Sequence, residues 1–444
     1  MHPDQWHLLK SKRFFPLFIT QFLGAFNDNV FKNALIILIT YSVVDQSALS
    51  PQIMVTIAAG IFILPFFLFS ATAGQLSDKY DKARLIRFVK FFEVLLMILA
   101  AIGFYMGSIP FLMSVLFLMG TQSAFFGPVK YSILPDQLVE KELIGGNALV
   151  EMGTFVSILL GTILGGLLIL TDNGAITIST LVIGVAIIGW ACSFYIPSTP
   201  PASPNLTINY NITTETFAII KHIQQNKIVF CAILGISWFW LFGATFLSQL
   251  PTFTKDIIGG NEQVVTLFLA IFSIGIGIGS LLCNKLLKGE VAATYVPLGI
   301  LGMTIFTLDL YIASSNVVTA NTSTFIGVSI FLESFTHWRI LVDLFGIAIC
   351  GGIYIVPLYA IIQHHTEASY RSRTIAGNNI MNALFMVVSA IATSLMLASG
   401  FAVTEVFFTL AILNTLVAIY ISSLLPEAVV KSVLHWIFHA AYHF

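Results

Sequence analysis

Twelve runs of predominantly apolar residues, each about 20 residues long, constrain the fold of this chain more than any other feature. A helix needs about 20 apolar residues to cross a bilayer, so each run is long enough to be a membrane span. Hydrophobic residues make up 57% of the 444 residues and charged residues only 9%, compared with about 25% charged residues in soluble domains. The sequence therefore predicts an all-α integral membrane protein. The predicted spans cover residues 14–41, 53–73, 85–106, 110–130, 148–170, 175–196, 228–250, 263–285, 292–314, 340–363, 376–400 and 402–424.

The remaining composition argues against several other classes of protein. The net charge of −1 gives no indication of a nucleic-acid partner. The first apolar run is too long for the apolar region of a signal peptide, so we expect it to remain as a span. None of the four cysteines shows the spacing of a metal site or of a disulfide framework. We therefore expect no metal and no cofactor, and we expect small buried hydrophobic side chains at Cys192, Cys231, Cys283 and Cys350.

The distribution of basic residues predicts how the chain is oriented in the membrane. If the connectors alternate between the two sides, 17 of the 20 Lys and Arg residues, including Lys90 and Lys130, lie on the side of the N-terminus. Lys255 and Arg339 lie on the opposite side, and Lys32 lies within the first span. Basic residues concentrate in cytoplasmic connectors. We therefore expect a multi-pass protein of the cytoplasmic (inner) membrane, with both termini in the cytoplasm.

Short motifs that recur at equivalent positions indicate that the chain consists of two related halves. A glycine-led basic connector, Gly74–Arg84, follows the second span, and Gly279–Gly289 follows the eighth. A Gly-Asn pair, Gly146-Asn147, lies directly before the fifth predicted span, and another, Gly377-Asn378, lies at the beginning of the eleventh. Internal repeats of this kind are typical of transporters. The expected domains are an N-terminal six-helix bundle (1–196), a cytoplasmic linker (197–227), a C-terminal six-helix bundle (228–424) and an amphipathic cytoplasmic tail (425–444).

The connector after the second span resembles the cytoplasmic signature of the major facilitator superfamily. The second glycine of that signature is absent, because Tyr80 and Asp81 occupy the stretch. Asp78 could accept hydrogen bonds from a neighbouring helix end when the cytoplasmic side is closed, which would make the segment a conformational latch. The alternative is a solvated basic loop. The expected latch residues are Gly74, Asp78, Lys79, Lys82 and Arg84.

The first span carries polar residues that an ordinary membrane helix avoids. Helical spacing places Gln21, Gly24, Asp28 and Lys32 on one stripe, with Asn27 and Phe31 at its edges. A charged side chain at the bilayer centre costs about 2.5–3.5 kcal/mol on insertion scales. A pair between Asp28 and Lys32 would lower that cost, and a wet cavity would lower it further. The stripe therefore predicts a substrate or coupling site, and the alternative is a neutralised pair beside amides that join helices.

The same span also resembles the lysophospholipid transporter branch of the major facilitator superfamily. The resemblance is most specific over Gln21–Leu35 and continues through Phe125–Pro135, Leu143–Ala148 and Glu151. It implies a twelve-transmembrane-helix major facilitator fold of two six-helix pseudo-symmetric halves, working by alternating access. Relatives bring lysophospholipid, chiefly lysophosphatidylethanolamine, to the cytoplasmic leaflet for re-acylation, and some are fused to an acyltransferase and an acyl-activating domain. The sequence lacks a His-x-x-x-x-Asp motif, so we predict no enzymatic activity and no catalytic residues.

A lysophospholipid requires a polar pocket for its head group and an apolar wall for its single chain. Asp28 could bind an ammonium group, Lys32 a phosphate, and neighbouring amides the glycerol hydroxyl. Asp343 is a further candidate, although Arg339, four residues earlier, could simply neutralise it. The expected substrate-binding residues are Gln21, Asn27, Asp28, Asn29, Phe31, Lys32, Glu151 and Asp343.

Two other functions are compatible with these patterns. One is proton-coupled export of drugs or other amphiphiles, with Asp28 or Glu151 as the proton carrier. The other is a non-transporting membrane module that anchors or feeds a partner acyltransferase. The expected partners of the transporter are its lysophospholipid substrate, membrane lipids, and a cytoplasmic acyltransferase or acyl-activating enzyme. We expect the chain to act as a monomer.

Overall fold

The computed structural model describes residues 5–42, 51–315 and 325–424. Within these ranges the chain forms twelve long helices, called spans 1 to 12 in chain order. Spans 1 to 6 form the N-terminal half and spans 7 to 12 the C-terminal half. Their bounds are Phe15–Ser42, Pro51–Lys79, Lys82–Met106, Ile109–Ser132, Glu140–Ile169, Gly174–Ser193, Lys227–Thr252, Glu262–Leu287, Val296–Ser315, Phe335–His365, Arg371–Ala398 and Val403–Leu424.

The lengths and apolar character of these helices fit a membrane protein. In the described residues, 11 helices are long and apolar enough to cross a bilayer. The remaining long helix, span 3, has 25 residues, which corresponds to about 37 Å and exceeds the hydrocarbon thickness of about 30 Å. Its first half carries several charged side chains. The predicted all-α fold with twelve spans is therefore confirmed.

Local sequence signals explain several span boundaries. Span 3 begins after Asp81, whose carboxylate accepts the backbone N–H of Arg84 at 3.0 Å and caps the helix. It ends at Gly107, which adopts the left-handed conformation with φ of 60°. Span 5 begins at Glu140, eight residues before the apolar run predicted from residue 148. It starts earlier because the carboxylate of Glu142 accepts the N–H of Val139 at 3.0 Å, which stabilises the polar first turn.

The apolar core is divided between one cluster inside the N-terminal half and a larger one shared by both halves. The first contains residues such as Phe31 and Phe104, whose rings meet edge to face at 5.6 Å between centroids. The second reaches from Phe14 and Phe155 to Phe239 of the C-terminal half. Buried apolar area thus joins the halves, while the N-terminal half also has a core of its own.

The segment between spans 6 and 7 crosses one end of the bundle, which we call the linker side. It contains an amphipathic helix, Ile212–Gln225, that places Ile219 and Ile223 against Gly377 of span 11. Upstream of this helix, the N–H of Ser203 donates to the carbonyl of Asp78 at 2.7 Å, and its hydroxyl donates to the carbonyl of Ser369 at 2.9 Å. The linker therefore contacts both halves. The predicted tail, 425–444, lies outside the described residues.

Candidate functional site

Asp28 lies in the middle of span 1 and faces span 4. The hydroxyl of Ser123 donates to Oδ2 of Asp28 at 2.8 Å. The other carboxylate oxygen, Oδ1, is buried and has no hydrogen-bond partner among the described residues. An ionisable side chain at this depth marks a functional site by default. Asp28 therefore retains an unused acceptor near the middle of span 1.

A buried ion pair on span 3 lies next to this contact. Glu93 pairs with Lys90 three residues earlier, and both side chains are almost fully buried. Glu93 also accepts from Asn27 at 3.3 Å and from Gln122 at 3.0 Å. Lys90, counted among the basic residues on the side of the N-terminus, lies inside span 3, within the predicted range 85–106. The apolar stretch around it continues into the helix, and its carboxylate partner makes the buried charge tolerable.

Lys32, predicted to pair with Asp28, forms no ion pair within the described part of the chain. Its ammonium lies over the ring of Phe62 in span 2, 5.2 Å from the centroid. Asp28 remains close enough to attract it electrostatically. A cation over an aromatic face gains modest electrostatic stabilisation while its hydrogen-bond donors stay available. Lys32 is therefore the cationic counterpart of the unused carboxylate oxygen.

The other predicted site residues of span 1 make contacts within the protein. Gln21 accepts a hydrogen bond from Thr154 of span 5 at 3.1 Å, although its amide nitrogen has no partner in the described structure. Asn29 donates back to the carbonyl of Ala25 at 2.7 Å. Phe31 is fully buried in the apolar core of the N-terminal half. Only part of the predicted stripe is therefore free for a ligand.

Glu151 belongs to a second polar cluster, at the contact between the halves. Tyr131 of span 4 donates to its carboxylate at 2.5 Å, and the other carboxylate oxygen has no partner among the described residues. The ring of Tyr131 stacks on Tyr359 of span 10, with centroids 4.3 Å apart and planes 4° from parallel. Tyr359 in turn accepts from the indole of Trp240 at 3.3 Å. Sequence reasoning missed both tyrosines, because tyrosines in membrane spans carry no distinctive spacing.

Asp343 is separated from these clusters. It lies in the first turns of span 10, at the end opposite the linker side, and is 2% exposed. The proposed partner, Arg339, instead pairs with Asp309 of span 9. The spacing of four residues put Arg339 and Asp343 within reach, but Asp309 offers both oxygens to the guanidinium, a geometry that arginine favours.

The predicted latch residues meet span 11 on the linker side. Asp78 is fully buried and accepts from the N–H of Ser372 at 2.9 Å and from Nε of Arg373 at 3.0 Å. A Cβ on Gly74 would lie 2.7 Å from Cβ of Ala376, so only glycine permits this approach. The first turn of span 11 thus donates to a buried carboxylate.

Further contacts close the same side. Asp136, in the turn after span 4, binds Lys82 at 2.6 Å and Arg371 of span 11 at 3.2 Å. The amides of Asn147 and Gln363 exchange hydrogen bonds of 2.6 and 3.1 Å between spans 5 and 10. These contacts hold the two halves together on the linker side.

Two predicted latch residues do not take part in these contacts. Arg84 is exposed, and the ammonium of Lys79 lies over the ring of Tyr80.

An N-terminal helical turn lies against spans 5 and 8. This 3₁₀ helix, Gln5–Lys10, is anchored to Glu142 through His7 at 3.0 Å and lies beside Arg13, which binds the same carboxylate. At its other end, the amide of Gln5 donates to the carbonyl of Leu281 in span 8 at 3.3 Å. The turn is therefore fixed to the N-terminal half through His7 and reaches the C-terminal half through Gln5.

An apolar groove of about 300 Å³ opens between spans 2 and 11. Leu64, Phe67, Leu384 and Val387 in its walls are all 40–48% exposed, so the groove is open to the side of the bundle. In the described residues, no cluster of three or more His, Cys, Asp or Glu side chains could hold a metal ion. The chemistry offered by the site is therefore ionic, hydrogen-bonding and apolar.

Comparisons with known proteins agree with this architecture. The chain is 27% identical over 368 residues to the lysophospholipid transporter LplT of Escherichia coli O157:H7, covering 81% of this chain and 82% of that protein. A solved bacterial homologue of the iron transporter ferroportin, in an outward-facing state, superposes with a TM-score of 0.66 at 13% identity, covering 92% of this chain and 99% of that one. For the transporter FucP in its outward conformation, the TM-score is 0.67 at 12% identity, with coverage of 92% and 97%.

These relatives are transporters and not enzymes, in agreement with the prediction that the chain is not an enzyme. The resemblance of the sequence to lysophospholipid transporters is likewise confirmed. The model of the Major Facilitator Superfamily matches residues 17–345, about three quarters of the chain. The chain is therefore a membrane transporter that belongs to the Major Facilitator Superfamily.

Proposed function

We propose that this transporter moves lysophospholipid, with lysophosphatidylethanolamine as the main substrate, to the cytoplasmic leaflet of the inner membrane for re-acylation. The observation that carries the proposal is a pair of opposite charges in span 1 that are not bonded to each other. Asp28 has an unused carboxylate oxygen, and Lys32 has no carboxylate partner in the described structure. The similarity to LplT supports the choice of substrate.

A zwitterionic head group matches these two charges. The ammonium of a phosphatidylethanolamine head group would bind the free oxygen of Asp28, and its phosphate would bind the ammonium of Lys32. Charge-assisted hydrogen bonds of this kind are about twice as strong as neutral ones. The groove between spans 2 and 11 would admit the acyl chain from the side, because its walls are apolar. One chain suits a groove of about 300 Å³ better than two.

Alternating access supplies the route of transport. The contacts of Asp78, Asp136 and Gln5 close the linker side, and we assign that side to the cytoplasm because the basic connectors lie there. Substrate would enter from the opposite side and leave after these contacts break. In this proposal the protein acts as a monomer and delivers its product to a cytoplasmic acyltransferase or acyl-activating enzyme.

The test is transport in reconstituted vesicles. Labelled lysophosphatidylethanolamine is placed in the outer leaflet and its movement is followed by extraction with albumin, with diacyl phosphatidylethanolamine as the comparison. We expect lysolipid to move and the diacyl lipid to remain. Asp28→Asn should reduce transport strongly without reducing the folded yield. Failure of the wild-type protein to move lysolipid under any ion gradient would refute the proposal, and unchanged transport by the variant would remove Asp28 from the site.

Proton-coupled export of another amphiphile is the second candidate. It is favoured by the unpartnered carboxylate oxygens of Asp28 and Glu151, because a buried carboxylate can take up a proton there. The same vesicles distinguish the two functions. Movement of an amphiphilic cation that requires a proton gradient, together with no movement of lysolipid, would favour the exporter.

A further inference from the structure

Two parallel rows of side chains connect spans 1 and 4. The front row is the hydrogen bond between Asp28 and Ser123. The rear row uses the residue immediately before each of these, Asn27 and Gln122, and both donate to the carboxylate of Glu93 on span 3. Because consecutive residues on a helix move together, whatever fixes the rear row also fixes the front row.

Glu93 is held in place by Lys90, and the pair has no access to solvent. Lys90 is 0% exposed and Glu93 is 1% exposed. The space for the lysine comes from two glycines on other helices. A Cβ on Gly24 of span 1 would lie 3.1 Å from Nζ of Lys90, and a Cβ on Gly189 of span 6 would lie 3.1 Å from its Cε. Four helices of the N-terminal half therefore converge on one ion pair.

Packing alone does not account for this arrangement. A buried ion pair is often no more stabilising than apolar residues of the same size, so charges retained at such a junction point to a purpose other than stability. The carboxylate of Glu93 has two oxygens. Together they accept hydrogen bonds from Lys90 on span 3, Asn27 on span 1 and Gln122 on span 4. An apolar side chain could fill the volume but could not orient two amides.

We propose that Glu93, charged and held by Lys90, is a positioning residue for the head-group site. It fixes Asn27 and Gln122, and through them it sets the distance between Asp28 and Ser123. The inference rests on the proposed binding of a zwitterionic head group by Asp28. Glu93 itself does not touch the substrate. Its removal would let spans 1 and 4 separate and would leave Asp28 in a range of orientations.

The experiment compares Glu93→Gln, Lys90→Met and the double variant K90M/E93Q. Each single variant leaves one buried charge unpaired and should fold poorly. The double variant removes both charges and should recover the wild-type folded yield. In the double variant we expect the Kd for lysophosphatidylethanolamine to rise about tenfold, as for the loss of a hydrogen bond to a charged group, while the maximal transport rate changes by less than about twofold. The control is D309N/R339M, which removes a more exposed ion pair, between spans 9 and 10.

A second measurement does not depend on the substrate. Cysteines introduced as D28C/S123C, with the four native cysteines replaced, should be joined efficiently by a short bifunctional thiol reagent while Lys90 and Glu93 are both present. Cross-linking should fall several-fold in K90M/E93Q and remain unchanged in D309N/R339M. Unchanged cross-linking in K90M/E93Q would overturn the positioning role, whatever the binding result. Reduced cross-linking, together with no binding of lysolipid by the wild-type protein, would keep the positioning role and refute the proposed function.

Discussion

The carboxylate of Asp78, at the end of span 2, accepts the backbone N–H of Ser372, in the first turn of span 11, at 2.9 Å. The two residues are 294 positions apart and belong to different halves. Asp78 is fully buried, so this contact exists only while the linker side is closed. A helix N-terminus carries unsatisfied N–H groups and a partial positive charge, both of which favour a carboxylate there.

Replacing Asp78 by Asn should open the linker side. The variant loses the charge that binds Arg373, and hydrogen bonds to a charged group contribute about 1.5–3 kcal/mol each. The open population should therefore rise by about tenfold to a hundredfold. Spin labels at Arg84 and Glu367, both exposed, report the distance between the halves. Asp172→Asn, an exposed site at the opposite end, is the control, and equal distance distributions in both variants would contradict the latch.

Gly74→Ala should prevent full closure of the same contact. Its methyl group would meet Ala376 at 2.7 Å and Cα of Arg373 at 2.9 Å, and the backbone cannot yield as a flexible side chain can. The helix itself should not suffer, because alanine is favoured over glycine by about 1 kcal/mol in helices. Gly166→Ala in span 5 is the matched control, since a Cβ there meets nothing within 4 Å. The prediction fails if the two variants show the same transport rate and the same distance between labels.

Gln5→Ala should loosen the closure between spans 5 and 8 without unfolding the protein. The variant removes a hydrogen bond from the N-terminal turn to span 8, a neutral contact with a contribution of about 0.5–1.5 kcal/mol. Labels at Lys141 and Lys285, both exposed, should report a several-fold larger open population. Lys10→Ala changes an exposed residue of the same turn and should have no effect. A closed distribution in Gln5→Ala would show that the turn does not hold the halves.

Tyr131→Phe should weaken the contact between the two halves near Glu151. The ring and its stack on Tyr359 remain, but the buried carboxylate loses its donor, a change of about 1–3 kcal/mol. Without this hydrogen bond the ring of Tyr131 is held less firmly against Tyr359 of the other half, so the labels at Lys141 and Lys285 should show more open molecules and thermal stability should fall. Tyr210→Phe removes an exposed hydroxyl and serves as the comparison. Identical melting and distances for the two variants would exclude a role for the hydroxyl.

The twelve spans and their grouping into two halves were predictable from the amino-acid sequence alone. This was possible because a bilayer imposes a local requirement, a continuous apolar segment long enough to satisfy all backbone groups internally. The same requirement made Asp28 and Lys32 conspicuous, since each charge at that depth needs a reason. The latch segment was also predictable, although its partners Ser372 and Arg373 were not.

Which charged side chains pair with one another depends on how the helices pack. Helical spacing places Asp28 near Lys32 and Arg339 near Asp343, yet Asp28 binds Ser123 and Arg339 binds Asp309. Spacing along one helix shows which side chains are within reach, but the neighbouring helices supply competing partners that no local pattern reveals. The role of Lys90 was not apparent for the same reason, because its pairing with Glu93 becomes meaningful only when Asn27 and Gln122 converge on that carboxylate.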